Sequence, residues 1–180
     1  MSEVAVEAIV LAINGLGCGI LLFVSGVVQK MMNEMEPLEF KRFANVLGPT
    51  AMSDPLAVTI ATIPIFAVIY YFAAFGFNHW WFTAGIVVWM IGSTITKVIN
   101  LPIYEWVGRP ENVDPEQLRK KRHTLALGNA WRAWLTLLCV ALMTCQFSVE
   151  GTAVAVAACA IITYPSLWLA RRYIPSGSHR

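Results

Sequence analysis

The chain has 180 residues, of which 57% are hydrophobic and only 13% are charged, and its formal net charge is +2. Because soluble domains carry about a quarter charged residues, this composition excludes an ordinary soluble protein and predicts an integral membrane protein. The length suits one helical bundle better than two domains, so we predict a single transmembrane domain over residues 1–180.

Five apolar stretches are long enough to cross a hydrocarbon core of about 30 Å as helices. They cover about residues 8–28, 55–75, 80–102, 125–147 and 152–170. Between the first two, Glu36-Pro37 predicts the start of a short helix lying at the membrane surface, and Gly48-Pro49 predicts its stop. Asp114-Pro115 predicts the cap of another short helix, before the fourth span. The predicted fold is all-α: a four-span core, a fifth transmembrane helix and a short interfacial helix between spans one and two.

Lysine and arginine residues fall in alternate loops. The loop after the first span has three, the loop after the third has five and the tail has three, whereas the N-terminus and the other two turns have none. The positive-inside rule then places the N-terminus outside and the C-terminus in the cytoplasm. The basic run at 119–122 is interpreted as a topology signal and a contact for anionic lipids, and no nucleic-acid partner is predicted.

Polar side chains gather at the end of the third span and the start of the fourth. Lys97 and Arg132 are the only charges within the predicted spans, where an ionisable group is costly and usually serves a partner or a function. Spacings of three and four residues put two polar stripes on these helices: Ser93, Lys97, Asn100 and Tyr104, then Asn129, Arg132, Thr136, Cys139 and Met143. Pro102 would leave the carbonyl of Val98 without its helical donor, kinking or ending the helix. We expect the two stripes to face each other near the cytoplasmic surface.

Two motifs carry a family resemblance. Asn100-Leu101-Pro102-Ile103-Tyr104 and Asn129-Ala130-Trp131-Arg132, with the glycine-rich first span, resemble the small membrane proteins known as the DUF1772 or anthrone-oxygenase-like family. That family closes its third span with Asn-x-Pro-x-Asn and opens its fourth with an Asn-His-x-Arg type sequence. The matching residues are Asn100, Pro102, Asn129 and Arg132, whereas Tyr104 stands at the second Asn and Ala130 at the His. The resemblance covers about residues 8–147, and the fifth span is an addition.

The resemblance implies an enzyme, since some members are similar to enzymes that oxidise anthrones to anthraquinones with dioxygen. A hydrophobic aromatic or polyketide-type substrate would bind in a pocket near the cytoplasmic interface. Arg132 and Lys97 would stabilise a developing phenolate or enolate, and Tyr104 would transfer a proton. The expected substrate-binding residues are Asn100, Asn129, Trp89, Trp131 and Trp134. The expected reaction is cofactor-independent, with a haem or a metal ion bound through His123 as an open alternative.

A non-catalytic function is the other hypothesis. Lys97 and Arg132 would then reach the interface or pair with Glu105 and Asp54, and the asparagines would satisfy the carbonyl that Pro102 frees. The protein would be an accessory subunit, a scaffold, or a binding protein for a lipid or quinone. Its predicted partners are membrane lipids and a hydrophobic small molecule, with a homo-oligomer or a larger membrane complex left open. The family resemblance suggests a bacterial cytoplasmic membrane.

The three histidines give no metal-ligand pattern in the sequence. They are His79, His123 and His179, and none forms a His-x-x-x-His or Glu-x-x-His pair on a helix. His79 lies in the turn before the third span and is interpreted as an interfacial residue. The sequence therefore predicts no metal site.

Overall fold

Helices make up nearly all of the structure, a computed structural model that describes residues 1–173. Their bounds are α1, Glu3–Glu34; α2, Pro37–Ser53; α3, Pro55–Phe75; α4, Trp80–Gly108; α5, Pro115–Cys145; and α6, Val149–Tyr173. Among the described residues there is no strand. All but α2 are long and apolar enough to cross a membrane. The prediction of an all-α integral membrane bundle is confirmed.

The centre of the bundle is formed by α1, α4 and α5. Helix α5 packs along both α4 and α1, and α3 covers another side of α1. One apolar cluster surrounds the start of α1 and consists of Val6, Val10, Val68, Tyr71, Phe82, Ile86, Cys139 and Met143. A second surrounds the end of α1 and consists of Met32, Phe40, Ala44, Ile103, Val107, Leu118 and Leu125. The two clusters fill opposite ends of the bundle. The end that holds the second cluster also carries the basic loops, and we call it the basic end.

A glycine permits the close contact between α4 and α5. A Cβ atom on Gly85 would lie 2.6 Å from Cγ of Met143 and 3.1 Å from the backbone oxygen of Cys139. Small residues at a helix interface let two membrane helices approach closely, which replaces the hydrophobic driving force that lipid does not supply. Gly85 therefore fixes how near α5 can lie to α4.

Helix α2 begins as predicted and ends later than predicted. Glu36 caps it in a reciprocal capping box with Glu39, and Pro37 is its first residue. The predicted stop at Gly48-Pro49 is wrong, because α2 continues to Ser53. Gly48 instead makes room for Tyr104, whose ring atom Cδ1 would lie 3.3 Å from a Cβ there. The chain breaks at Asp54, whose Oδ1 accepts from the backbone N–H of Ala57 at 2.8 Å and caps α3.

The charged loop before the fourth span is largely part of that span's helix. Asp114 caps a helix as predicted, accepting from the backbone N–H of Glu116 at 2.9 Å. A separate short helix is wrong, because α5 continues unbroken to Cys145. Leu118 and Leu125 are fully buried, so an apolar face runs through the basic stretch and holds it against the bundle.

Two turns of π-helix interrupt the long helices. They cover Val24–Val28 in α1 and Thr96–Asn100 in α4. In each, an N–H reaches back five residues: Gln29 to the oxygen of Val24, and Leu101 to that of Thr96. Helix α4 does not end at Pro102 but continues to Gly108. The irregularity beside Asn100 is therefore a widened turn, a feature that is frequent at functional sites.

Candidate functional site

Four amide side chains form a hydrogen-bonded chain across three helices, and we call them the amide network. Asn100 Nδ2 on α4 donates to Asn129 Oδ1 on α5 at 2.7 Å. Asn129 Nδ2 donates to Gln29 Oε1 on α1 at 2.9 Å, and Gln29 Nε2 donates to Asn33 Oδ1 at 2.9 Å. The expectation that the polar stripes of the third and fourth spans face each other holds at Asn100 and Asn129.

The two π-helical turns place the network. One ends immediately before Gln29 and the other ends at Asn100. Each widened turn offsets the residues that follow it, so that these side chains point inward. Only 1% of Asn100, 2% of Asn129 and 3% of Gln29 is exposed. The α1 turn and Gln29 were missed by sequence reasoning, because a π-helical turn leaves no clear signature in the apolar pattern.

One oxygen of the network has no partner among the described residues. It is Oδ1 of Asn100, which lies against the backbone of Gly128, where a Cβ atom would overlap it. A buried polar atom left unpaired costs about 1–3 kcal/mol. The amide network thus presents an acceptor that an O–H or N–H donor would satisfy.

The predicted charged residues lie at different depths. Arg132 and Tyr104 are half-buried and close enough to interact electrostatically, whereas Lys97 is exposed. The π-helical turn explains the position of Lys97, because a spacing of three no longer returns to the face of Asn100. Within residues 1–173, the expected ion pairs of Lys97 with Glu105 and of Arg132 with Asp54 are not formed.

The three predicted tryptophans are not gathered around the amide network. Trp89 is half-buried and packs against the apolar cluster at the opposite end. Trp131 and Trp134 are 61% and 66% exposed on the outer surface of α5. In a membrane this surface faces lipid.

His123 lies at the basic end in a surface cleft of about 290 Å³, which it lines with Asn33, Arg119, Arg122 and Ala126. The cleft meets the amide network only at Asn33. In the described part of the chain, His123 belongs to no group of three metal-ligating side chains.

A second polar cluster, which sequence reasoning missed, lies at the other end of the bundle. It consists of Glu3 and Glu7 on α1, Tyr71 on α3 and His79 before α4, and we call it the carboxylate–histidine cluster. Nδ1 of His79 is 2.5 Å from Oε1 of Glu7 and 3.6 Å from Oε1 of Glu3. The hydroxyl of Tyr71 donates to Oε1 of either carboxylate, each at 3.1 Å. Four ligand-type atoms therefore converge there.

A sequence signal for this cluster was available in α1. Glu7 shares the buried stripe of Val6, Val10 and Asn14, so helical spacing places it on the inner face of the first span. An acidic residue on that face predicts a partner inside the bundle. The identity of the partner was not readable, because His79 is 72 residues away in the chain.

The fold and these two clusters define a polytopic α-helical membrane protein with polar groups buried at both ends of its core. Comparison of the chain with protein-family models, with characterised proteins and with solved structures finds no match.

Proposed function

We propose that the protein is an anthrone-oxygenase-like membrane protein, which binds a hydrophobic, hydroxylated aromatic molecule at the amide network and oxidises it with dioxygen. The observation that carries the proposal is the buried, unpaired Oδ1 of Asn100. A phenolic O–H is a donor that this acceptor fits, and an aromatic ring is compatible with the apolar surroundings. The resemblance at Asn100-Leu101-Pro102 and Asn129-Ala130-Trp131-Arg132 supplies the reaction class.

Arg132 would supply the charge stabilisation for this reaction. It lies one turn beyond Asn129 on α5, half-buried and near Tyr104. Fixed positive charge stabilises a developing oxyanion most strongly where water is excluded. A methylene carbon of the substrate loses a proton, and the resulting carbanion adds dioxygen to give a peroxide. Loss of water from the peroxide leaves a ketone, so one oxygen atom ends in the product and the other in water.

The exposed tryptophans support entry of the substrate from the bilayer. Trp131 and Trp134 lie on the same helix as Asn129 and Arg132 and face outward. Tryptophan side chains provide large apolar contact area with a polar edge. We therefore assign them to the lipid-facing approach to the site rather than to the walls of an interior pocket.

Oxygen uptake with an anthrone tests the proposal. Protein purified in mild detergent should consume dioxygen above a protein-free blank, with one dioxygen taken up per ketone formed. Arg132→Ala should lower the rate by roughly 100-fold, the size expected for loss of one oxyanion-stabilising group. Arg119→Ala, which removes an exposed arginine from the same helix, is the matched control and should retain the rate. Uptake no faster than the blank would contradict the enzyme function.

A non-catalytic membrane subunit is the second candidate, and α6 favours it. This helix packs against α5, and Thr152 is its only described residue that is fully buried. An apolar helix that contributes so little to its own bundle is suited to contact another membrane protein. Native mass spectrometry from detergent would show a stable complex for this candidate, combined with no oxygen uptake.

A further inference from the structure

We propose that Glu3, Glu7 and His79 form a binding site for a divalent transition-metal ion of the Zn²⁺ type. The site lies at the opposite end of the bundle from the amide network and does not depend on the proposed oxidation. Two carboxylates and one imidazole make a donor set of intermediate softness, which suits Zn²⁺, Mn²⁺ or Fe²⁺.

The spacing of the ligand atoms fits one bound ion. Glu3 and Glu7 are four residues apart on α1, so both carboxylates project from one face. The ligand atoms of the three residues all lie within 4.8 Å of one another. Around an ion with bonds of about 2.0–2.2 Å, neighbouring ligand atoms lie about 3.0–3.6 Å apart. The 3.6 Å between His79 and Glu3 already has this spacing, and the 2.5 Å between His79 and Glu7 must widen by about 0.5–1 Å.

The charge balance of the cluster gives a second, independent argument. In the part of the chain that the structure describes, His79 is the only basic side chain within 4 Å of the two carboxylates. A protonated imidazole neutralises one carboxylate, whereas a doubly positive ion beside a neutral imidazole neutralises both. Glu7 is 1% exposed and lies against the apolar cluster of Val6 and Val10, where an uncompensated charge is costly.

Tyr71 would orient the metal-binding carboxylates. Its side chain is fully buried, and its ring packs 4.7 Å from that of Phe82, measured between centroids. Its hydroxyl is 3.1 Å from Oε1 of each glutamate, so one rigid donor holds both ligands. Groups that hold a metal ligand in place in this way raise metal affinity. Three protein ligands also leave a fourth position for water or another molecule.

Metal titration of the whole chain tests the site. Protein in mild detergent, stripped with a chelator, is titrated with Zn²⁺ by calorimetry and with Co²⁺ by visible absorption. We expect one saturable site per chain and a Co²⁺ spectrum typical of low coordination number. Glu7→Gln and His79→Gln should each lose saturable binding, and Tyr71→Phe should weaken it by about 10–100-fold. The matched control is Glu150→Gln, an exposed carboxylate at the same end of the bundle, which should bind as the wild type does.

Two results would overturn the proposal: no saturable binding by the wild type, or equal binding by the wild type, Glu7→Gln and His79→Gln. If Glu7→Gln does not fold, His79→Gln carries the test, because the His79 side chain is 30% exposed and its loss leaves no cavity in the core. The readout is binding and not oxygen uptake, so failure of this site is distinguishable from failure of the proposed oxidation.

Discussion

At the scale of single residues, Asn129 connects the core of the molecule. Its carboxamide accepts from Asn100 and donates to Gln29, which ties α4 and α1 to α5 through one buried side chain. Buried polar groups of this kind stabilise a fold only when every partner is present, because each unmatched group keeps its desolvation cost. The asparagines of the sequence motifs are thus part of the packing as well as candidates for binding.

Gly128 is the residue against which this network is most easily tested. A Cβ atom there would overlap Oδ1 of Asn100 and lie 3.1 Å from Cγ2 of Ile99. Gly128→Ala should displace Asn100, weaken its hydrogen bond to Asn129 and destabilise the protein by about 1–3 kcal/mol, as overpacking does. Thermal unfolding in detergent measures the loss as a lower melting temperature.

The control for this prediction is Gly19→Ala, at a helical glycine of α1 with no heavy atom within 4 Å of the added Cβ. It should leave the melting temperature unchanged or raise it slightly, since alanine favours a helix by up to about 1 kcal/mol over glycine. Equal melting temperatures for the two variants would show that the site tolerates the methyl group and that Asn100 is not confined there.

At the scale of helices, the basic residues also hold helix ends together. Nη1 of Arg122 donates to the backbone oxygens of Met32, at 3.0 Å, and Met35, where α1 ends. Nζ of Lys41 donates to backbone oxygens just beyond the end of α4, among them that of Arg109 at 2.6 Å. Cations at the carboxyl ends of helices satisfy free carbonyls and complement the helix dipole. Residues that indicate orientation in the sequence therefore have a second, structural task.

Replacing Arg122 by alanine should destabilise the bundle by about 1.5–3 kcal/mol, the range for hydrogen bonds made by a charged group. The physical reason is that the last carbonyls of α1 lose their donor at a half-buried position. The measurement is the midpoint of thermal unfolding, followed by circular dichroism in detergent.

Lys120→Ala provides the comparison on the same helix. Lys120 pairs with Glu116 at 3.0 Å in an exposed i, i+4 arrangement, with both side chains about three-quarters exposed. Such pairs contribute about 0.3–0.5 kcal/mol, so the midpoint should barely change. If both variants unfolded alike, the capping function of Arg122 would be rejected and only the loss of charge would matter.

At the scale of the whole molecule, the distribution of charge predicts one orientation in the membrane. The basic end carries Lys41, Arg109 and Arg122, and the other end carries the carboxylate–histidine cluster. The positive-inside rule places the basic end in the cytoplasm, with the N-terminus outside.

Labelling of single cysteines in intact cells tests this orientation. The background chain has its four cysteines, Cys18, Cys139, Cys145 and Cys159, replaced by serine or alanine. A membrane-impermeant maleimide should label Ser148→Cys in intact cells, and should label Val113→Cys only after the membrane is permeabilised. Both positions are exposed in turns, so access depends on the side of the membrane alone. The reverse pattern would invert the topology.

The sequence by itself determined the membrane class, the number of spans and several helix ends. Apolar stretches of the required length predict a membrane helix whatever surrounds them, because lipid imposes the same demand on each span separately. Span two, predicted at 55–75, is the helix Pro55–Phe75, and the caps at Asp54 and Asp114 were read from local chemistry. Facing of Asn100 and Asn129 followed from helical periodicity in two adjacent spans.

Only the tertiary structure decided what depends on contacts between distant segments. Gly48-Pro49 looks like a stop, yet α2 continues because Gly48 is where Tyr104 packs. Gln29 enters the amide network through a widened turn of α1, which no local pattern announces. Glu7 meets His79 across 72 residues, and a contact of that range is fixed by how the helices pack and not by the residues on either side of it.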